Sequence, residues 1–230
     1  RRLLNSSLNR LSMDTLISVS ENLAGAYADH STTDVNHAID NNLSSACVSR
    51  AQLMTGLIPV YVACLVGVHV QKGDAAQLGE HLIETFVLKL WRNLAEDLRA
   101  PSNDADHHDP LSSISKETCN IMLILCYLYN FGVVHSLLVY DLIKSMIQSF
   151  SEVDVELLLI VLSHSGRALR GDDPSALKEI VLLVQKKYVD VKKLTEETSR
   201  MDYLVAAVMD LKNNKKRKQD LDKIEKKLFK

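Results

Sequence analysis

Two groups of side chains have the types that could do chemistry. Asp104, Asp106, His107, His108 and Asp109 crowd one stretch with carboxylates and imidazoles, the donors that bind divalent metals. His81 and Glu84 stand three apart, which on a helix puts them on one face as a metal-binding or acid–base pair. Neither group is complete. Side chains at adjacent loop positions rarely converge on one ion, and no His pair at i, i+4 fixes a geometry there. His81 and Glu84 need a partner from a second helix, and the sequence does not name one. No Gly-rich phosphate loop, Gly-x-Ser-x-Gly turn or Asp-Phe-Gly run occurs, and nothing sets a nucleophile beside a base. The reading is a chain with no catalytic residues, no metal and no cofactor.

Cys47, Cys64, Cys119 and Cys126 lack both the close pairs of a zinc site and the density of a disulfide framework. Cys119 and Cys126, seven apart on one helical face, read as small buried residues in a reducing compartment.

The charge is uneven. Of a net −2, Lys212–Lys230 contributes nine Lys/Arg against three Asp/Glu, or +6, which leaves −8 on the preceding 211 residues. An acidic body repels phosphate backbones in general, so any RNA contact is local. Lys212, Lys215, Lys216, Arg217 and Lys218 are the candidates for such a contact, or for an import signal. The competing reading rests on Leu221, Ile224 and Leu228, an apolar stripe that would make the same segment an ordinary docked helix.

The elements that must position these groups are helices. Hydrophobic residues are 47% of the chain, aromatics only 5%, and no alternation of period two persists. Ser115–Phe150 holds two strongly apolar segments joined at Asn130–Phe131–Gly132, with Gly132 suited to end the first. Val134, Leu137, Leu138 and Leu142 form one stripe of the second segment, widened by Ile143, Ile147 and Phe150. Apolar residues nearly all round predict a central antiparallel hairpin covered on both faces.

Around it, Ser12 and Asp14 offer caps for a helix over Thr15–Ala28, and Ser31 with Asp34 for Val35–Val48. Pro59 either begins or kinks a helix that continues through Val70. Gly73–Asp74 should stop that helix and open Ala75–Leu98. Ser151 with Asp154 opens Val155–Leu169, with Gly171 as its stop, and Asp173–Pro174 begins Ser175–Val189. A last core helix runs from Thr195 or Thr198 to Lys212.

About ten helices, paired about every 40 residues, predict an all-α, HEAT-like repeat solenoid of about five antiparallel pairs, with a closed bundle as the alternative. The domain would cover 1–212, including a flexible loop at 99–113, with 213–230 a basic helical extension. No signal peptide stands at Arg1, and the abrupt start suggests a piece of a longer chain. The longest apolar run, Leu57–Val68, is short of the roughly 20 residues a spanning helix needs, so a soluble protein without a membrane partner is expected.

Several stretches carry a resemblance. LNRLS at Leu8–Ser12 is followed in order by QLGEHLI at Gln77–Ile83, LYNFGVVHSLLVYDLI at Leu128–Ile143, Gly166 within SHSGRALRGDD, and MDLKNNKKRK at Met209–Lys218. Together they resemble MIF4G domains, the helical-repeat middle domain of initiation factor 4G and its relatives. Within the family they are most similar to the ribosome-biogenesis branch, and the match spans essentially the whole chain. The resemblance implies a non-catalytic scaffold that binds a DEAD-box RNA helicase of the initiation factor 4A family by one or both RecA-like lobes. It further implies the nucleus and nucleolus, a pre-ribosomal particle as partner, small-subunit RNA processing, and a second helical domain beyond this chain.

The same resemblance puts Asn9 and Arg10 where relatives meet the helicase's carboxy-terminal lobe, with Ser6 one turn earlier. Arg10 departs from the commoner Lys, keeping the charge while adding a planar two-pronged donor. The plainer reading is that Asn9 and Arg10 only cap their helix. The alternative function is a MIF4G-type RNA-binding, splicing or translation scaffold acting mainly through the basic carboxy-terminal segment.

Overall fold

Single side chains set most of the helix ends. The computed structural model describes residues 6–97, 114–193 and 199–213, and no strand occurs among them. In order come α1 (Leu16–Asp29), α2 (Thr32–Cys47), α3 (Ile58–Lys72), α4 (Leu78–Asp97), α5 (Lys116–Asn130), α6 (Ser136–Ser149), α7 (Glu152–Asp172), α8 (Pro174–Lys192) and α9 (Ser199–Lys212). The stretch 99–113, and the extension 213–230 apart from Asn213, lie outside the described residues.

Ser31 caps α2 by accepting from the Asp34 N–H, so the helix begins three residues earlier than Val35. Pro59 sits in the first turn of α3 and begins it without a kink. A 3-10 turn at Gly73–Ala76 and a left-handed Gln77 delay α4 from Ala75 to Leu78. Ser12 and Asp14 do not cap α1, whose N-cap is Thr15; Ser12 hydrogen-bonds Thr15 instead. Gly171 does not stop α7, which runs on to Asp172, and Asp173 then caps α8 by accepting from the Ser175 and Ala176 N–H groups.

Gly132 ends α5 as its place in the sequence suggests. At φ 79° it lets the Val133 N–H reach the Leu128 carbonyl (2.9 Å) and its own N–H reach that of Tyr129 (2.9 Å). This double closure satisfies carbonyls that the helix leaves open.

Ser151 and Asp154 form a full reciprocal capping box at the start of α7. Ser151→Ala removes the acceptor for the Asp154 N–H and should cost about 1 kcal/mol, read as a lowered midpoint in urea with an unchanged slope. A midpoint equal to that of the parent chain would mean the box contributes nothing.

The chain divides into two compact units. The described part of the first is 6–93 with 116–134. Here α5 is buried on every side from Thr118 to Tyr129, and α3 is nearly as enclosed. α3 packs against both α1 and α5 and is the core of this unit. The described part of the second is 94–97, 114–115, 135–193 and 199–213.

In that unit α7 meets α6, α8 and α9. The Tyr140 hydroxyl donates to the carbonyls of Leu169 (2.9 Å) and Asp173 (3.1 Å), tying α6 to the end of α7. Arg170 donates from Nη1 to the carbonyls of Leu211 (2.8 Å) and Lys212 (3.2 Å), a cation on the negative end of α9.

The division falls between α5 and α6, so the two halves of the expected central hairpin find their main partners in different units. Only α5 has the all-round burial its sequence suggests. α6 packs one face, through Val139, Tyr140, Leu142, Ile143, Met146 and Ile147, and Leu137 is 63% exposed. Of the expected stripe, Val134 and Leu142 are buried, as are Ile143, Ile147 and Phe150 that widen it, and only Leu137 faces outward. Among the described residues no helix is long and apolar enough to cross a membrane.

Candidate functional site

At the amino-terminal edge a short helical stretch over residues 6–8 turns at Asn9 and Arg10. Ser7 and Leu8 are buried, whereas Ser6, Asn9 and Arg10 are exposed. Burying Leu8 alone contributes about 1.5–3 kcal/mol to holding the segment down. The backbone is also held by hydrogen bonds on both sides of the turn. The Arg10 N–H donates to Ser7 O (3.2 Å), the Leu11 N–H to Leu8 O (3.0 Å), and the Tyr61 hydroxyl on α3 to Leu8 O (3.3 Å). On the far side, the Thr15 hydroxyl donates to Arg10 O (2.7 Å) and receives the Ser12 N–H (2.9 Å). Exposed polar side chains thus stand on an anchored backbone.

Ser6 and Arg10 are brought together. Arg10 Nε donates to the Ser6 carbonyl (3.2 Å) and Nη2 to the Ser6 hydroxyl (3.3 Å). The capping role of Arg10 is therefore present in the fold. It uses one side of the guanidinium and leaves Nη1 without a bond to any described residue. Asn9 also makes no side-chain bond to a described residue.

Of the basic candidates, Lys212 is the exposed last residue of α9. Lys215, Lys216, Arg217 and Lys218 lie outside the described residues, as do Asp104, Asp106, His107, His108 and Asp109. The four cysteines are buried and none is in a disulfide. Burial pushes the thiols of Cys47 and Cys64 up to about 12, which keeps them neutral and poorly nucleophilic.

His81 does acquire partners from a second helix, and Glu84 is not among them. His37 and Asp40 of α2 face His81 of α4, with one ligand atom from each lying within 4.8 Å of the others. The His37 and His81 rings meet edge to face with centroids 5.0 Å apart. Asp40 Oδ1 accepts from Lys89 Nζ (2.7 Å) and Ser44 Oγ (3.2 Å). Burial lowers the His81 pKa; the Asp40 charge opposes that and His37 adds to it. Burial is the largest of these causes, so the neutral form of the ring is favoured. His37 and Asp40, three apart on α2, were the signal in the sequence, but it becomes specific only when α4 is placed beside them.

Helices throughout the described residues, packed on near neighbours in chain order, fit a helical-repeat fold. The chain belongs to the MIF4G domain family, whose profile matches residues 1–215. It is 32% identical over 211 residues to nucleolar MIF4G domain-containing protein 1 of Homo sapiens, covering 92% of this chain and 23% of that protein. It is also 32% identical over 221 residues to suppressor of glycerol defect protein 1 of Schizosaccharomyces pombe, covering 95% of this chain and 26% of that protein. The Saccharomyces cerevisiae protein of the same name is 31% identical over 212 residues, 92% of this chain and 22% of its own length. The chain therefore spans about a quarter of the curated relatives it matches. The expected nucleolar placement agrees with the names of the relatives from Homo sapiens and Mus musculus.

Proposed function

We propose that this chain is a nucleolar, non-catalytic scaffold that binds a DEAD-box RNA helicase of the initiation factor 4A family through Ser6, Asn9 and Arg10. The helicase works on pre-ribosomal RNA within a pre-ribosomal particle during small-subunit assembly. The scaffold acts by differential affinity: binding one arrangement of the two helicase lobes more tightly shifts the population toward it and changes ATPase turnover. What carries the reading is the amino-terminal edge, where buried Leu8 anchors the backbone and Asn9 and Arg10 stay exposed. An exposed carboxamide can pair with partner backbone, and the free side of a guanidinium with a partner carboxylate.

The test is binding of the 230-residue chain to the separate helicase lobes, with and without nucleotide and RNA. Replacing Asn9→Asp together with Arg10→Glu should weaken binding by at least about tenfold, the scale of a lost charged contact. The thermal melt should barely move, because the bonds from Arg10 to Ser6 are at the surface. Equal binding by the variant would remove the assignment.

The uneven charge favours a second reading, in which Lys212, Lys215, Lys216, Arg217 and Lys218 bind RNA directly. It requires an RNA affinity that falls steeply with salt and disappears with residues 212–230.

A further inference from the structure

We propose that His37, Asp40 and His81 form a site for a divalent transition-metal ion of the Zn2+ class, bridging α2 and α4. Three observations carry it. First, the donors come from two helices, with His37 and Asp40 at the i, i+3 spacing of one face of α2 and His81 opposite on α4. Second, their ligand atoms lie within 4.8 Å of one another. A tetrahedral ion with bonds of about 2.0–2.1 Å holds its ligands roughly 3.4 Å apart. Binding an ion would draw the three side chains together by roughly 1.4 Å at most, a distance within reach of side-chain rotation.

Third, His81 Nε2 is buried and has no hydrogen-bond partner among the described residues. An imidazole nitrogen in that state loses water without compensation, and a metal ion is one group that would restore it.

The donor set selects the ion. Two imidazoles and one carboxylate suit Zn2+ and its first-row neighbours, whereas Mg2+ and Ca2+ require shells of oxygen. Lys89 and Ser44 both bond Asp40 at Oδ1 and orient the carboxylate, leaving Oδ2 without a bond to a described residue. Such outer partners are the usual support of a metal-binding side chain. The Lys89 ammonium also repels a dication, so the affinity lies below that of a thiolate-rich zinc site. His37 is exposed, which gives the ion a route from solvent and leaves room for water as the remaining ligand.

The experiment uses the 230-residue chain, equilibrated with Zn2+, dialysed against metal-free buffer and assayed for bound metal. The chain should retain about one equivalent of Zn2+ and melt at higher temperature with Zn2+ than with Mg2+, because an ion bound only by the folded state stabilises it. His37→Gln and His81→Gln should each weaken binding by at least about tenfold. His37 is at the surface, so its variant keeps the fold, which the circular dichroism melt in metal-free buffer checks. Absence of Zn2+ retention by the parent chain, or unchanged retention by folded His37→Gln, overturns the proposal. So does retention that survives both substitutions and is lost when residues 103–109 are deleted, since the ion would then belong to Asp104–Asp109.

Discussion

Asn120→Ala should destabilise the chain by about 2–4 kcal/mol, more than the loss of any surface ion pair in it. Asn120 lies in the second turn of α5 with no exposure, and its carboxamide holds the irregular connection between α2 and α3 at three points. Oδ1 accepts the Met54 N–H (2.8 Å), while Nδ2 donates to the carbonyls of Ser49 (3.0 Å) and Gln52 (2.9 Å). Each bond contributes about 1 kcal/mol net, and backbone groups left without a partner in a partly buried connection add more. The neighbouring bridge from Arg50 to Glu117 (2.8 Å) spans the same two segments, but Arg50 is 85% exposed, so its loss should hardly register.

Asn120→Asp separates hydrogen bonding from packing. The carboxylate keeps the Met54 bond and turns its charge on two carbonyl oxygens in a buried place, which pushes its pKa up. A carboxyl raised in the folded state adds no ionisation cost while protonated in both states, although its single O–H serves only one of the two carbonyls. The loss begins as pH rises through the unfolded value near about 3.9 and is complete above the folded one. Asn120→Asp should therefore be less damaging at pH 4 than at pH 7, relative to the parent chain under each condition, by urea unfolding. A pH-independent difference would show that the carboxyl reaches water and that the three bonds do not confine it.

The legible parts of the sequence were local, and the hidden ones needed two segments at once. Ser31, Ser151, Asp173 and Gly132 act within four residues of themselves, so their roles follow from spacing alone. Gly171 looked equally like a stop, but the Asp173 cap on α8 lets α7 continue one residue past it. An apolar run likewise says how much surface a helix must bury and not which helix buries it. The all-round burial of α5 was readable, whereas its partner within the unit, α3, was not.

Asn120 shows the same limit. Its three partners lie 66 to 71 residues away in the chain, so no local spacing points to them. At the candidate site, Leu8 and Leu11 lie on the apolar side of an amphipathic segment over Leu3–Leu11, and Asn9 and Arg10 fall between them and are exposed. The spacing of His37 and Asp40 is local, but their meeting with His81 is not, because it depends on α2 lying beside α4.

The second large effect is expected at Gly166, on α7 against Leu211 of α9, and its sign depends on side-chain size. A Cβ built there would lie 2.9 Å from Leu211 Cδ2 and 3.1 Å from Cδ1, closer than carbon atoms approach without a shift. The colliding atoms are the ends of a flexible, half-buried side chain, so Leu211 can turn aside. Gly166→Ala also gains about 0.8–1.0 kcal/mol of helix propensity. The two effects nearly cancel, and the alanine variant should stay within about 1 kcal/mol of the parent.

Gly166→Leu has no such escape. Four carbons must fit where α9 packs, with Leu204 and Val208 buried on α9 and Arg170 holding the Leu211 and Lys212 carbonyls one turn away. Overpacking of this kind costs about 1–3 kcal/mol, and displacement of α9 would add the loss of both carbonyl bonds. The measurement is urea unfolding of the two variants side by side. A leucine variant as stable as the alanine one would show that α9 is free to move away from α7, and that Gly166 is not needed to let them meet.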